Sequence, residues 1–171
     1  MRTRLMIQAF SRIAAHDSGF TLLEMMIVLV IGGILAAIAI PSFLSRANAA
    51  KQAEARTFLG IMNRAQQAYY AEHARFTDNI EALALRQHPN LNYTFQIQVA
   101  GDNTHAVHYA TPRIPKVHAY TGMSALTQDN GSQAIQTIMC ESDQPSSAPA
   151  TAPVYTVNAI TCAPGTRNMN N

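Results

Sequence analysis

The chain has 171 residues, enough for one modest globular domain and an appendage but not for two independent cores. Its formal charge of +2 lies in the first 19 residues, where Arg2, Arg4 and Arg12 face a single Asp17. The remainder is formally neutral, so net charge gives no support to a nucleic-acid partner and leaves it open only through a local patch.

Apolar residues make up an ordinary 48% of the chain, but they are concentrated between Phe20 and Leu44. Leu22 to Pro41 reads LLEMMIVLVIGGILAAIAIP and holds one ionisable group, Glu24. As a helix the stretch from Phe20 reaches ~37 Å, enough for a ~30 Å hydrocarbon layer. The preceding arginines predict a cytoplasmic N-terminus and an exported C-terminal body. A secretory signal with a small-x-small site at Ala47-Asn48-Ala49 competes with this reading, but signal-peptide apolar regions run only ~7–15 residues. A simple anchor competes too, and both alternatives leave Glu24 unexplained.

An acidic group inside a membrane helix costs up to ~3 kcal/mol near the centre and is usually there for a partner. The sequence offers no cation between Phe20 and Ser45. Cleavage after Gly19 would create one, because a free α-amine on Phe20 is mostly protonated at neutral pH. Phe20 and Glu24 are one helical turn apart, so they can pair within one chain. A staggered neighbour can instead supply the amine, in a water-poor setting that penalises failed pairing. Gly32, Gly33, Ala36 and Ala37 allow close helix approach. Pro41 deletes a backbone donor and predicts a kink or a place to unwind.

Gly19-Phe20-Thr21-Leu22-Leu23-Glu24, followed by the apolar run and Pro41, resembles the processing and assembly motif of type IV prepilins. All key positions match. The resemblance implies cutting between Gly19 and Phe20 by a prepilin peptidase, N-methylation of Phe20, and a role for Glu24 in recruiting and aligning subunits. It also implies local melting at Pro41 during assembly. Type II secretion pseudopilins share the same device, which covers about 25 residues.

Helical character continues from Ser42 to about residue 75, rich in alanine. Phe58, Met62, Ala65, Tyr69 and Phe76 mark a face for a sheet. Asn63 to Thr77, with Ile80 to Leu83, resembles a pilin subgroup common in cyanobacteria. Asp78-Asn79-Ile80-Glu81 resembles a capping box with Asp78 as cap, predicting a short helix to Leu85 before Pro89 within a connection spanning 76–90.

Leu91 to Val99 alternates as a half-buried strand, and a turn at Gly101-Asp102-Asn103 returns it through His105 to Thr111. Val117 to Met123 and Ala134 to Cys140 are further candidate strands, separated by Gln128 to Gly131. An antiparallel sheet over 91–140 packed on the long helix follows, an α+β fold of pilin type. The proline-rich stretch from Ser142 to Pro153 reads as an exposed loop, with Val154 to Val157 as an edge strand. Cys140 and Cys162 allow one pairing, and an exported location favours a disulfide of about 3 kcal/mol bounding the loop 140–162.

No residue pattern carries catalysis. His105 and His108, three apart on a strand, point to opposite faces, and His118 does not repair that geometry for a metal. The default for these histidines is solvated or hydrogen-bonded. No phosphate-binding loop, Cys-x-x-Cys or nucleophile elbow occurs. The expectation is a non-enzyme without cofactor or metal: a cleaved leader over 1–19, a membrane and assembly helix over 20–44, and an exported head over 45–171. By resemblance it polymerises with other pilin subunits through the pilus assembly machinery of the inner membrane, for motility, adhesion or DNA uptake. A minor pilin, a type II secretion pseudopilin and a non-polymerising membrane-tethered binding protein are the alternatives.

Overall fold

A computed structural model describes residues 19–86, 92–129 and 131–169. Residues 1–18 of the leader expected over 1–19, together with Pro89, Leu91 and Asn130, lie outside the described residues. One helix, α1, spans Leu22–His73. Seven strands follow: β1 (Tyr93–Val99), β2 (His105–Pro112), β3 (His118–Asp129), β4 (Ser132–Pro145), β5 (Val154–Thr156), β6 (Ala159–Thr161) and β7 (Thr166–Asn168). The chain divides into two compact units, one ending at Ser42 and one beginning at Phe43.

In the first unit every described residue is exposed. The helix runs unbroken through Pro41, where the sequence predicts a kink or unwinding. Proline in a helix interior costs ~3 kcal/mol. Strong helix formers at Ala36, Ala37 and Ala39 and the length of the element offset that local loss.

In the second unit five strands form one antiparallel sheet in the order β1-β2-β3-β4-β7. Its inner face packs on the C-terminal half of α1, where Ala55, Leu59 and Met62 meet Tyr93, Phe95, Ala110, Val117 and Tyr120. The Phe58 and Phe95 rings lie 4.3 Å apart. Of the helix face expected from sequence, Met62 and Phe76 are buried, whereas Phe58, Ala65 and Tyr69 are only half-buried. The buried seam is rotated onto Ala55, Leu59, Met62, Asn63 and Gln66.

Two amides tolerate that seam because each finds backbone partners. Asn63 Nδ2 donates to the Ile138 carbonyl at 3.2 Å. Gln66 donates to the Thr77 carbonyl at 2.5 Å and accepts from the Thr77 N–H at 3.2 Å. Gly122 makes the first contact fit: a Cβ there would come within 3.0 Å of Asn63 Oδ1. Asn103 fastens the preceding residue in the same way, accepting from the Phe76 N–H at 2.7 Å and donating to its carbonyl at 3.4 Å.

The connection differs from the expected short helix. Asn79, not Asp78, supplies the capping oxygen, accepting from the N–H groups of Glu81 at 2.8 Å and Ala82 at 3.3 Å. The segment closes as a turn, with Ala84 at φ 56° ending it. A left-handed alanine stops a helix because its Cβ crowds the neighbouring carbonyl.

β3 and β4 run farther than the sequence indicates. They pair from Asp129↔Ser132 outward, so a two-residue connection replaces the expected four-residue separator. β4 continues past Cys140 to Pro145 and buries Glu141 and Ser142. The run Ser124-Ala125-Leu126-Thr127, with one large apolar residue, hides the strand from a hydrophobicity reading, because both sheet faces are covered there.

The outer face carries a second core of Val107, Met123, Ala125, Ile138 and Cys140, against which Tyr109, Ala152, Tyr155, Ile160 and Cys162 pack. The segment after β4 is therefore not wholly an exposed loop, since Ala150 and Pro153 are buried. β5 pairs with β6 in a separate hairpin and does not become the sheet edge. The edge beside β4 belongs to β7. Cys140 and Cys162 form a disulfide with Cα atoms 5.7 Å apart, fastening this outer layer to β4.

Candidate functional site

Gly19 and Phe20 precede α1, and both are exposed. Thr21 is the helix cap: its Oγ1 accepts from the Glu24 N–H at 3.2 Å, and its carbonyl accepts from the Met25 N–H at 3.2 Å. This is half of a capping box, and the sequence signal for it is Thr21-Leu22-Leu23-Glu24. Glu24 thus has a local role besides any partner. Its negative charge in the first turn faces the positive end of the helix dipole.

Beyond Glu24 the described part of this unit presents hydrocarbon. Leu22, Leu29 and Ile38 are each at least 70% exposed, as soluble helices do not tolerate in series. Gly32 and Gly33 have open space where a Cβ would stand, so nothing among the described residues requires glycine there. The structure places Gly19, Phe20 and Glu24 together at one helix end, with Pro41 farther along the same helix and the disulfide in the head.

The head histidines do not converge, and no group of three or more His, Cys, Asp or Glu residues suited to a metal occurs among the described residues. His105 stacks on Tyr155 at 4.7 Å. Its Nδ1 lies 3.0 Å from Thr104 Oγ1, whose proton goes to Asp102 Oδ1 at 2.8 Å, so His105 must carry its own proton on Nδ1. That Thr104 bond holds the Asp102 carboxyl below its usual range. Burial draws His105 down, with Asp102 acting against it. His118 Nδ1 donates to the Ser142 carbonyl at 2.6 Å. His108 departs from the expectation of a solvated or hydrogen-bonded ring, being fully buried with neither nitrogen bonded among the described residues.

A polar cluster around one carboxylate, Glu141, under α1 was not legible in the sequence. Glu141 accepts from the Tyr120 hydroxyl at 2.8 Å and from Arg167 Nε at 2.7 Å, with Arg167 Nη2 at 2.6 Å. The Tyr120 hydroxyl also lies 2.9 Å from Gln52 Oε1 on α1. Burial first, and the Glu141 bond second, push the Tyr120 phenol up. The cluster ties helix, β3, β4 and β7 together.

A family model described as type IV pilin-like G and H matches residues 52–163, most of the head. The chain belongs to this type IV pilin family. A second model, the prokaryotic N-terminal methylation motif, matches residues 15–40 of this pilin. The type IV major pilin protein PilA of Myxococcus xanthus is 34% identical over 105 residues, covering 61% of this chain and 48% of its own. This pilin therefore spans about half the length of that relative. The type IV wide pilus major component PilA4 of Thermus thermophilus is 32% identical over 78% of this chain and 98% of its own length. The competence protein ComGC of Halalkalibacterium halodurans is 37% identical over 40% of this chain and 67% of its own. Pilin-family proteins are structural and not enzymes.

Proposed function

We propose that this pilin is a structural subunit of a type IV pilus. Residues 1–19 form a leader, a prepilin peptidase cuts between Gly19 and Phe20, and the new Phe20 amine is methylated. Residues 20–44 hold the precursor in the inner membrane with its N-terminus cytoplasmic, and the head over 45–171 is exported. Glu24 pairs with the Phe20 amine of a neighbouring subunit as the filament grows, and Pro41 is the place where the helix loosens on assembly. The filament serves motility, adhesion or DNA uptake, and the Asn63 to Thr77 segment aligns the head with the pilin subgroup common in cyanobacteria.

One observation carries the reading: a fully exposed apolar helix half with a single carboxylate in its first turn. Exposed hydrocarbon on this scale demands lipid or other helices, and the lone Glu24 demands a cation. The likenesses to major pilus components of two bacteria support the polymer over a solitary anchor. The experiment is mass spectrometry of fibres sheared from the cell surface. A mature peptide beginning with methylated Phe20 is expected, and a surface protein that retains residues 1–19 would overturn the reading.

A second reading, a minor pilin or a pseudopilin, draws on the likeness to a competence protein. Subunit abundance in the sheared fibres separates the two, since a minor component is outnumbered by another pilin. A non-polymerising membrane-tethered binding protein would be missing from the fibres altogether.

A further inference from the structure

His108 sits in the middle of β2 with no exposed surface. Its register partners are Ile97 on β1 and Gly122 on β3, which places it on the inner sheet face that receives α1. Among the described residues neither ring nitrogen has a hydrogen-bond partner, and Asn63 Oδ1 on α1 has none either. The two orphaned groups flank one glycine: Gly122 pairs with His108, and a Cβ on it would come within 3.0 Å of Asn63 Oδ1. Buried polar groups without partners are uncommon enough in folded proteins to require a reason.

We propose that His108 is an acid-sensitive latch between α1 and the sheet, neutral while the two are packed and protonated only when the helix lifts away. The packing leaves a proton on the second ring nitrogen without solvent or counter-charge. The seam of α1 over this region, Ala55, Leu59, Met62, Asn63 and Gln66, carries no charge. Ile97 and Gly122 carry none, and in the connection after α1 the ionisable Asp78, Glu81 and Arg86 are exposed while Phe76 and Leu83 are the buried residues. The one cause acting on the ring is burial, which pulls it from 6.5 down to about 3.

The direction of the effect follows. A histidine whose folded value is depressed contributes its full stability above the unfolded value of 6.5, and loses it as pH falls from there toward 3. Between pH 7.5 and pH 5 the linkage amounts to about a 30-fold fall in the folding equilibrium constant. Asn63 does not titrate; its unpaired oxygen gains water when the seam opens, which favours opening equally at every pH.

The test uses the full-length chain in detergent, unfolded by denaturant and followed by near-ultraviolet circular dichroism of its six tyrosines. The wild type loses about 30-fold in folding equilibrium constant between pH 7.5 and pH 5, and His108→Leu loses less than about threefold. His105→Gln and His118→Gln retain most of the wild-type loss. An undiminished loss in His108→Leu overturns the proposal. Should that variant not fold, histidine-labelled nuclear magnetic resonance of the wild type decides: a native His108 ring that stays neutral at pH 5 supports the latch, and one that titrates near 6.5 ends it.

Discussion

The two halves of α1 share one backbone conformation and face different demands. Up to Ser42 the described helix buries nothing and holds one charge, whereas from Phe43 to His73 it buries five residues, two of them amides. Helix formation is thus a poor guide to what a segment does, since propensity is satisfied in both halves. The environment is written in the side chains: a continuous apolar surface asks for lipid or other helices, and a narrow seam with polar groups asks for a backbone to bond.

Substitutions that affect one half and spare the other sharpen this contrast. The largest effect is expected from Glu24→Ala. On the proposed pairing, leaving a partner amine without Glu24 costs ~3–5 kcal/mol, so surface filaments should fall by about 100-fold or more. Membrane insertion, leader removal and head stability stay unchanged. Fractionation and quantitation of sheared fibres measure this, and normal incorporation of the variant would break the comparison.

In the head, Cys140→Ser should lower unfolding stability by about 3 kcal/mol through the 22-residue separation it no longer bridges. Membrane insertion should be untouched, and denaturant titration beside fractionation reads both. Gly122→Ala forces the helix amide and sheet apart, for a loss of about 2 kcal/mol. A neutral result would mean that Asn63 yields freely. The smallest effect, about 1 kcal/mol, is expected from Asn103→Ala, which frees both backbone groups of Phe76. Faster amide exchange at Phe76 is its direct signature.

The sequence made the apolar helix, its continuation into the head, the alternation of β1 and the cysteine pair legible, because each rests on a local pattern or on a count with one solution. Residues whose role depends on distant neighbours were not legible. Asn63 and Gln66 look like surface polar positions until Ile138 and Thr77 arrive. Glu141 stands beyond the apparent end of its strand, and its partner Arg167 comes 26 residues later. Thr21 was readable as a cap but was overshadowed by the carboxylate three residues on. The outer layer escaped because prolines signal an exposed loop, whereas here they lead the chain over a second apolar sheet face that the Ser124 to Thr127 run conceals.

The close pairing of β3 with β4 sets a timetable for folding of the head. Closing two residues costs little entropy, so this long hairpin can zip while later residues are still emerging. Cys140 is then already seated when Cys162 arrives, and oxidation acts as the final fastening of the outer layer. Slowing thiol oxidation should therefore accumulate heads with the inner sheet formed and the outer cover open to protease.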